Sequence, residues 1–177
     1  MLFRKLTRLA VGMALCSGAF AQQITIPNAT FEAGLDGPAG WTLSGGNGTW
    51  LPAGTGSASR AIAVTGTGSD TNYWRSANLP LLPSRLYRLS FRARSLGGSG
   101  GTPVSGPIFC NRDLGSVPDE WKTFQSIFAT PTVIDRESTW LRFGQWHVSG
   151  QIAFDDVALT EVQPVHRRQD DIELGAG

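Results

Sequence analysis

The chain has 177 residues, of which 41% are hydrophobic and only 16% are charged, and its formal net charge is +1 at neutral pH. So weak a charge gives no electrostatic basis for binding nucleic acid or an anionic membrane surface. With 22 glycines and 10 prolines the chain is rich in turn-forming residues, which is typical of an all-β domain.

Residues 1–21 have the pattern of a secretory signal peptide. Three basic residues lie at positions 4–8, an apolar stretch covers residues 9–16, and an Ala-x-Ala motif ends at Ala21. The apolar stretch is too short to cross a bilayer. We therefore predict cleavage between Ala21 and Gln22 and export to the extracellular space or the periplasm. Loss of the three basic residues changes the net charge from +1 to −2.

The predicted mature chain keeps one cysteine, Cys110, so no intramolecular disulfide can form. An exported domain of this kind depends on its hydrophobic core, with a metal ion as a second source of stability. Residues 22–162 suffice for one core, and we predict a single domain there. The polar residues 163–177 are a linker or the start of another domain. Alternation with Ile108 predicts that Cys110 is buried between sheets.

Alternation of apolar and polar residues predicts a series of short strands. The clearest is 86–94, where Tyr87 and Phe91 share one face. The other predicted strands cover residues 24–26, 60–65, 107–111, 121–129, 139–143 and 152–160. The glycine-rich residues 97–106 are predicted to form a loop, and no window has a helical period. The predicted fold class is all-β: an antiparallel two-sheet β-sandwich of jelly-roll type with almost no helix.

The last predicted strand changes its hydrophobic face in the middle. Ile152 and Phe154 share one parity, whereas Val157 and Leu159 share the other, and two aspartates at 155–156 separate the pairs. One extra residue produces such a change, so we predict a β-bulge there. Two adjacent carboxylates are costly to hold together unless a cation or hydrogen-bond donors satisfy them. The alternative is a polar strand end in solvent.

Two motifs stand at opposite ends of this domain. The first has the form Asn-x-x-Phe-Glu-x-Gly over residues 28–34, with Gly-Trp at 40–41, and the second is Phe-Asp-Asp-Val-x-Leu over residues 154–159. Together they resemble the carbohydrate-binding modules of families 4/9 and the related family 22, among the galactose-binding-like jelly rolls. The resemblance covers residues 24–161. It implies non-catalytic binding of a poly- or oligosaccharide on behalf of an attached or partner catalytic domain.

The resemblance also implies a structural calcium ion that joins Glu32 to Asp155. A hard cation takes six to eight oxygen ligands, which two carboxylates and backbone carbonyls can supply. Carbonyls near residues 57–60 are further candidates, and Asp156 is the alternative ligand if the bulge lies one residue earlier. The competing interpretation places Glu32 and Asp155 in ordinary salt bridges with arginines.

The six tryptophans divide into structural and candidate binding residues. The resemblance implies that Trp41 and Trp121 are structural. Near the end of the domain, Trp140, Arg142 and Trp146 have the parity opposite to that of the apolar residues between them, so we expect them on a non-core face. Sugar rings stack on indole faces while their polar edges accept hydrogen bonds, so these three residues are the predicted carbohydrate-binding residues. The alternative is that a loop or a neighbouring domain covers this face.

A second candidate segment is Tyr73 with Trp74, beside Arg75, near a predicted turn. Arg88 and Arg92 face outward on their strand and would lengthen the binding surface if that strand shared a sheet with Trp140. Trp50 also lies near a predicted turn, and its position is compatible with either a structural or a binding role.

No nucleophile, zinc-protease or phosphate-binding motif is present in the sequence. The carboxylate pairs at 119–120 and 155–156 are adjacent residues, which point to opposite faces of a strand and cannot flank one glycosidic bond. The two histidines, His147 and His166, have no motif around them. We therefore predict that this domain is not an enzyme. The rival class is a structural or adhesion module of a cell-surface protein.

Overall fold

A computed structural model of the chain describes residues 21–54 and 59–163, and the predicted signal peptide up to residue 20 and the tail from residue 164 lie outside these residues. None of the described segments forms a helix long and apolar enough to cross a membrane. The strands are β1 (Gln22–Ile24), β2 (Trp41–Ser44), β3 (Asn47–Leu51), β4 (Ala61–Thr67), β5 (Thr71–Ser76), β6 (Leu86–Ser99), β7 (Thr102–Pro107), β8 (Arg112–Asp113), β9 (Lys122–Ala129), β10 (Leu141–Trp146) and β11 (Ser149–Val162).

The strands form two antiparallel sheets. The six-stranded sheet has the order β3-β4-β11-β6-β9, with β1 paired to β11. The five-stranded sheet has the order β2-β5-β10-β7-β8. The described residues contain one helical segment, the 3-10 turn Arg136–Ser138. The predicted all-β sandwich with almost no helix is therefore confirmed.

The core lies between the two sheets and is built from the alternation seen in the sequence. The inward residues of β6 and β10, including Phe91 and Phe143, are at most 1% exposed, and the rings of these two phenylalanines meet edge to face at 4.9 Å. Each fully buried aromatic contributes about 1.5–3 kcal/mol relative to an exposed one. Trp41 also lies in this core, 6% exposed, as the resemblance implied.

The bulge predicted at the two aspartates is present in β11. Asp155 pairs with Arg92 and Ala158 with Ser90, so β11 has one residue more than β6 over this interval. Asp156 takes a left-handed φ of 52°. Because of the extra residue, the apolar side chains on both sides of the bulge reach the same core: Ile152, Phe154, Val157 and Leu159.

Two predictions about the chain between β6 and β8 are wrong. Residues 97–106 were predicted to form a loop, but β6 continues to Ser99 and β7 begins at Thr102. Gly98 and Gly150 are paired so closely that a Cβ on either would overlap the other strand's backbone, and hydrophobic patterning cannot detect strands of this kind. Residues 108–110 form a turn rather than the predicted strand.

This turn changes the environment predicted for Cys110. The backbone N–H of Cys110 donates to the Pro107 carbonyl at 3.0 Å, which closes the turn. Cys110 is therefore half-buried and contacts the edge of the core, whereas burial between the sheets was predicted.

Candidate functional site

The outer face of the five-stranded sheet brings most of the predicted sugar-binding residues together. On β5, Tyr73 and Arg75 alternate with residues that point into the core, and Arg142 and Trp146 do the same on β10. The two strands are neighbours, with Arg142 opposite Arg75. Because Trp146 is 52% exposed, its indole is open to a ligand.

A pair of stacked rings forms the rigid centre of this face. Tyr73 and Trp140 have ring centroids 5.9 Å apart and an interplanar angle of 7°. The guanidinium of Arg142 lies 5.9 Å from the Tyr73 ring, and that of Arg75 lies 5.8 Å from the Trp140 ring. Trp140 is only 6% exposed, so its ring mainly supports Tyr73 and Arg75. Such cation–π contacts hold both guanidinium groups in place.

Two depressions lie on this face, each bordered by one ring of the stacked pair. The first has a volume of about 350 Å³ and is lined by Thr71, Tyr73, Val104, Asn111, Asp113, Arg142, Gln145 and Trp146. The second has a volume of about 290 Å³, and its lining includes Arg75, Trp140, Asn78 and Glu137. Both combine aromatic, amide and charged groups, as a site for a polar ring requires.

A glycine in β10, Gly144, allows β5 to approach β10 closely beside Tyr73. Gly144 pairs with Tyr73 on one side and with Val104 on the other. A Cβ at position 144 would overlap Tyr73 and the backbone of Asn72, so only glycine fits without a shift of β5.

Trp74 is not part of this face. Its side chain points between the sheets, is 7% exposed, and donates from Nε1 to the Ala63 carbonyl of β4 at 2.9 Å. Tyr73 alone of the predicted pair 73–74 therefore reaches the candidate site. Trp50 is likewise engaged internally, since its Nε1 donates to the Phe31 carbonyl at 2.7 Å.

The prediction that Arg88 and Arg92 extend the surface is wrong, because β6 belongs to the six-stranded sheet and β10 to the other sheet. Arg92 forms an ion pair with Asp156 at 3.1 Å and lies 5.1 Å from the Trp121 ring. Trp121 packs over a small alanine-rich cluster on the outside of the six-stranded sheet. It is structural, as the resemblance implied, but it covers an outer face instead of filling the intersheet core.

Several lining residues were not found by sequence reasoning. Asn111 was predicted to end a strand, yet the 108–110 turn places its Oδ1 3.0 Å from Arg142 Nε, which donates to it. Asp113 lies on the short strand β8, which has no hydrophobic pattern. His147 stacks on Trp146 with centroids 4.5 Å apart. Only its position next to Trp146 in the sequence could have indicated this contact.

Asp70 forms hydrogen bonds near the end of β10, beneath this face. The Thr67 N–H donates to the Asp70 carboxylate at 2.7 Å, and Gln145 Nε2 donates to Asp70 at 3.3 Å. The bond from the Thr67 backbone is the main reason that the pKa of the Asp70 carboxyl is lowered from its ordinary value. The ionised carboxylate thereby fixes the turn between β4 and β5.

We expect this contact to be visible in the acid dependence of stability. Because the folded-state pKa of Asp70 is lowered, its contribution is present above the unfolded value near 4 and is lost as the pH falls through the folded value. Asp70→Asn should melt below the wild type at pH 7, and the difference should shrink below about pH 4. Thermal melts from pH 2 to 7, with Asp36→Asn as an exposed control, measure this. A difference that does not depend on pH would contradict it.

The two sequence motifs meet at one place, which we call the motif junction: residues 28–34, 59–60 and 155–157. The Val157 N–H donates to the Ala29 carbonyl at 2.9 Å, and the Arg60 N–H donates to Glu32 Oε1 at 2.7 Å. Asp155 is fully buried, and its carboxylate accepts from Ser59 Oγ at 2.9 Å and from the Asp156 N–H at 2.8 Å. Glu32 and Asp155 therefore hold the consecutive residues 59 and 60.

The motif junction fits a hard cation in its chemistry. Two carboxylates, one of them fully buried, approach the same short segment, and carboxylate and hydroxyl oxygens are ligands that a hard cation takes. In the structure these carboxylates accept hydrogen bonds from the Ser59 hydroxyl and from the N–H groups of Arg60 and Asp156. Within residues 21–54 and 59–163, no group of three or more His, Cys, Asp or Glu side chains gathers as a metal site. Any ion here would therefore depend on backbone carbonyls in addition to Glu32 and Asp155.

Neither carboxylate pair considered for hydrolysis lines the two depressions. Asp119 and Glu120 are exposed ahead of β9. Asp155 is buried, whereas Asp156 is exposed and faces Arg92, so the two side chains diverge as expected for neighbours in a strand. His147 is exposed at the edge of the face.

No protein-family model matches the chain, and no curated protein matches it. Several solved structures share its fold. A cyclase from Fischerella sp. TAU is 16% identical with a TM-score of 0.61, covering 84% of this chain and 100% of its own. The CBM22-1 xylan-binding domain of Paenibacillus barcinonensis Xyn10C is 15% identical with a TM-score of 0.55, covering 82% and 100%. A CBM4 structure is 17% identical with a TM-score of 0.52, covering 78% and 100%. The described domain thus has the β-sandwich fold of these carbohydrate-binding modules and of the cyclase.

Proposed function

We propose that this domain binds a polysaccharide or oligosaccharide on the outer face of its five-stranded sheet, without catalysing a reaction on it. The observation that carries the proposal is the arrangement of Trp146, half exposed, beside the rigid Tyr73–Trp140 stack and the guanidinium of Arg142. Aromatic rings offer large contact area at low entropic cost, and a guanidinium donates hydrogen bonds in a fixed plane. An extended chain of sugars suits such a row better than a compact metabolite does.

Two neighbours in fold support this assignment. One solved structure is of the CBM22-1-GH10 modules of the N-terminal endo-1,4-beta-D-xylanase 10B from Clostridium thermocellum in complex with xylohexaose, and another is a xylan-binding domain. By analogy, we propose that the present domain keeps an attached or partner catalytic domain near its substrate. The same experiment tests the non-catalytic part of the proposal, because hydrolysis of glycosidic bonds would release new reducing ends from the bound polymer.

The second candidate is a structural or adhesion module that contacts another protein. Large apolar side chains exposed on loops favour it, notably Leu35 at 96% and Val133 at 85% exposure. A protein-docking surface would centre on such loops, whereas sugar binding centres on the two depressions of about 350 and 290 Å³. The location of binding therefore separates the two functions.

Affinity electrophoresis against a panel of soluble plant and algal polysaccharides tests the proposal. We expect at least one polymer to retard the wild type and Trp146→Ala to weaken the interaction about tenfold, because removal of a stacking indole costs on the order of 1–1.5 kcal/mol. Trp121→Ala, on the other sheet, is the matched control and should be retarded like the wild type. Equal retardation of Trp146→Ala and wild type would exclude this face as the site.

We also propose that a structural calcium ion occupies the motif junction, held by Glu32 and Asp155 with backbone carbonyls. When bound, the ion would tie the segment between β1 and β2, which contains Glu32, to the last strand, β11, in a domain that has no disulfide. Its presence should depend on both carboxylates, because each supplies charged oxygen from a different part of the chain.

Excess chelator should lower the melting temperature of the wild type by roughly 5 °C, since loss of an ion worth about 1–2 kcal/mol shifts a domain of this size by several degrees. Added CaCl₂ should restore it, and Glu32→Gln should melt at the same temperature with or without chelator. A wild-type melting temperature that does not change with chelator would contradict the presence of the ion.

We propose export on the basis of the signal sequence. Secreted protein whose first residue is Gln22 would support this proposal.

A further inference from the structure

Two arginines lie at the centre of the candidate face without a carboxylate partner among residues 21–54 and 59–163. Arg75 of β5 and Arg142 of β10 are directly opposite each other in the sheet. In the ion pairs Arg85–Glu161 and Arg92–Asp156, both carboxylates belong to β11, on the other sheet. Like charges opposite each other on adjacent strands destabilise a sheet. The pair is therefore a cost to folding that a ligand with negative charge would offset.

Both guanidinium groups are already held in position. Arg75 lies over Trp140 at 5.8 Å and Arg142 over Tyr73 at 5.9 Å. The Asn111 side chain accepts from Arg142 through Nε alone, at 3.0 Å, which leaves the two terminal nitrogens of Arg142 directed away from this bond. A planar guanidinium fixed in this way can donate two parallel hydrogen bonds to one carboxylate.

Carboxylates border the same face at its two ends. Asp113 lines the depression that contains Arg142, and Glu137 lines the depression that contains Arg75. Each accepts a hydrogen bond from an amide: Asp113 from Asn111 at 3.4 Å, and Glu137 from Asn78 at 3.1 Å. Two positive charges at the centre of the face are thus flanked by two negative ones, in the order Asp113, Arg142, Arg75, Glu137. A densely charged polyanion would bring its outer carboxylates against Asp113 and Glu137.

We infer that the preferred ligand is a largely neutral polysaccharide that carries isolated uronic acid groups. One carboxylate would sit between Arg75 and Arg142, and neutral sugars would occupy the two depressions, where hydroxyl groups can donate to Asp113 and Glu137. This inference rests on the proposed sugar-binding function and adds the chemical class of the ligand. It distinguishes such a polymer both from an uncharged chain and from a polyuronate.

The test uses two sparsely charged polymers, glucuronoxylan and low-substitution carboxymethylcellulose, each before and after chemical reduction of its carboxyl groups. Affinity electrophoresis should show roughly tenfold weaker retardation by the reduced forms, because charge-assisted hydrogen bonds are lost. Polygalacturonate should retard the protein less than native glucuronoxylan does. Arg75→Gln should bind native and reduced polymers alike, whereas Arg88→Gln, which removes the same charge from the other sheet, should still distinguish them.

Equal retardation by native and reduced polymers would overturn the inference and leave sugar binding intact. Stronger binding to polygalacturonate would also overturn it, since the face would then select charge density. If neither sparsely charged polymer binds while a neutral member of the wider panel does, the inference alone fails. If no polysaccharide retards the protein, the proposed function fails together with it.

Discussion

Asp155→Asn is expected to destabilise the domain by about 2–4 kcal/mol, because the amide keeps only one acceptor oxygen. One donor would lose its acceptor, which costs on the order of 1–3 kcal/mol, and the other would bond to a neutral instead of a charged oxygen, which costs about 1 kcal/mol more. The Asp155 carboxylate is fully buried and accepts from Ser59 Oγ and from the Asp156 N–H. Asp155 also lies at the bulge, whose extra residue lets the apolar side chains on both sides of it point into the same core. Chemical denaturation in the presence of chelator measures the effect without a contribution from calcium.

Asp156→Asn is the matched control, one residue away. Asp156 is exposed, and its ion pair with Arg92 at 3.1 Å joins two partly exposed side chains, so its loss should cost no more than about 1 kcal/mol. Asparagine tolerates the left-handed φ of 52° that this position requires. Comparable destabilisation by the two substitutions would show that the buried carboxylate has no special role.

Phe31→Ala is expected to cost about 3–5 kcal/mol, the usual range for removal of a buried aromatic ring. Phe31 is fully buried and meets Trp41 edge to face at 5.0 Å. It also has a φ of 59°, which is costly for a residue with a Cβ. The native packing therefore holds this residue in a conformation that it would avoid alone.

The comparison of Phe31→Ala with Phe31→Gly separates packing from backbone strain. Both variants lose the ring, but glycine adopts a positive φ freely, so the glycine variant should be the more stable of the two by about 1 kcal/mol. At an ordinary β position the order would be reversed. Urea unfolding of both variants gives their free energies of unfolding. A more stable alanine variant would show that the backbone at position 31 is not strained.

Local patterning predicted the strands whose side chains alternate, and it predicted the bulge from a change of parity at Asp155. It failed between β6 and β8, where glycines allow close backbone approach at Gly98 and turn residues replace the strand expected at 108–110. Strands made by close approach of backbones have no side-chain pattern to detect. The register of distant segments, which brings Asn111 to Arg142, is likewise not encoded in either segment alone.

For the candidate site, parity placed Arg142 and Trp146 on one outer face but could not tell which face of β5 was covered. Tyr73 and Trp74 are adjacent aromatic residues, and only the pairing of β5 with β10 shows that Trp74 points into the core. The same limitation led to the error on Arg92, since alternation assigns a side chain to a face but does not assign a strand to a sheet.

The location of the sugar site can be read from the indole N–H signals of the six tryptophans, measured by NMR during titration with oligomers of the polysaccharide that binds most tightly. The Nε1 groups of Trp50 and Trp74 donate to backbone carbonyls inside the domain, and Trp121 lies on the other sheet. Binding on the proposed face should shift the signals of Trp140 and Trp146 and leave those three unchanged. A shift confined to Trp121, or saturation by ligand with Trp140 and Trp146 unmoved, would contradict the proposed site.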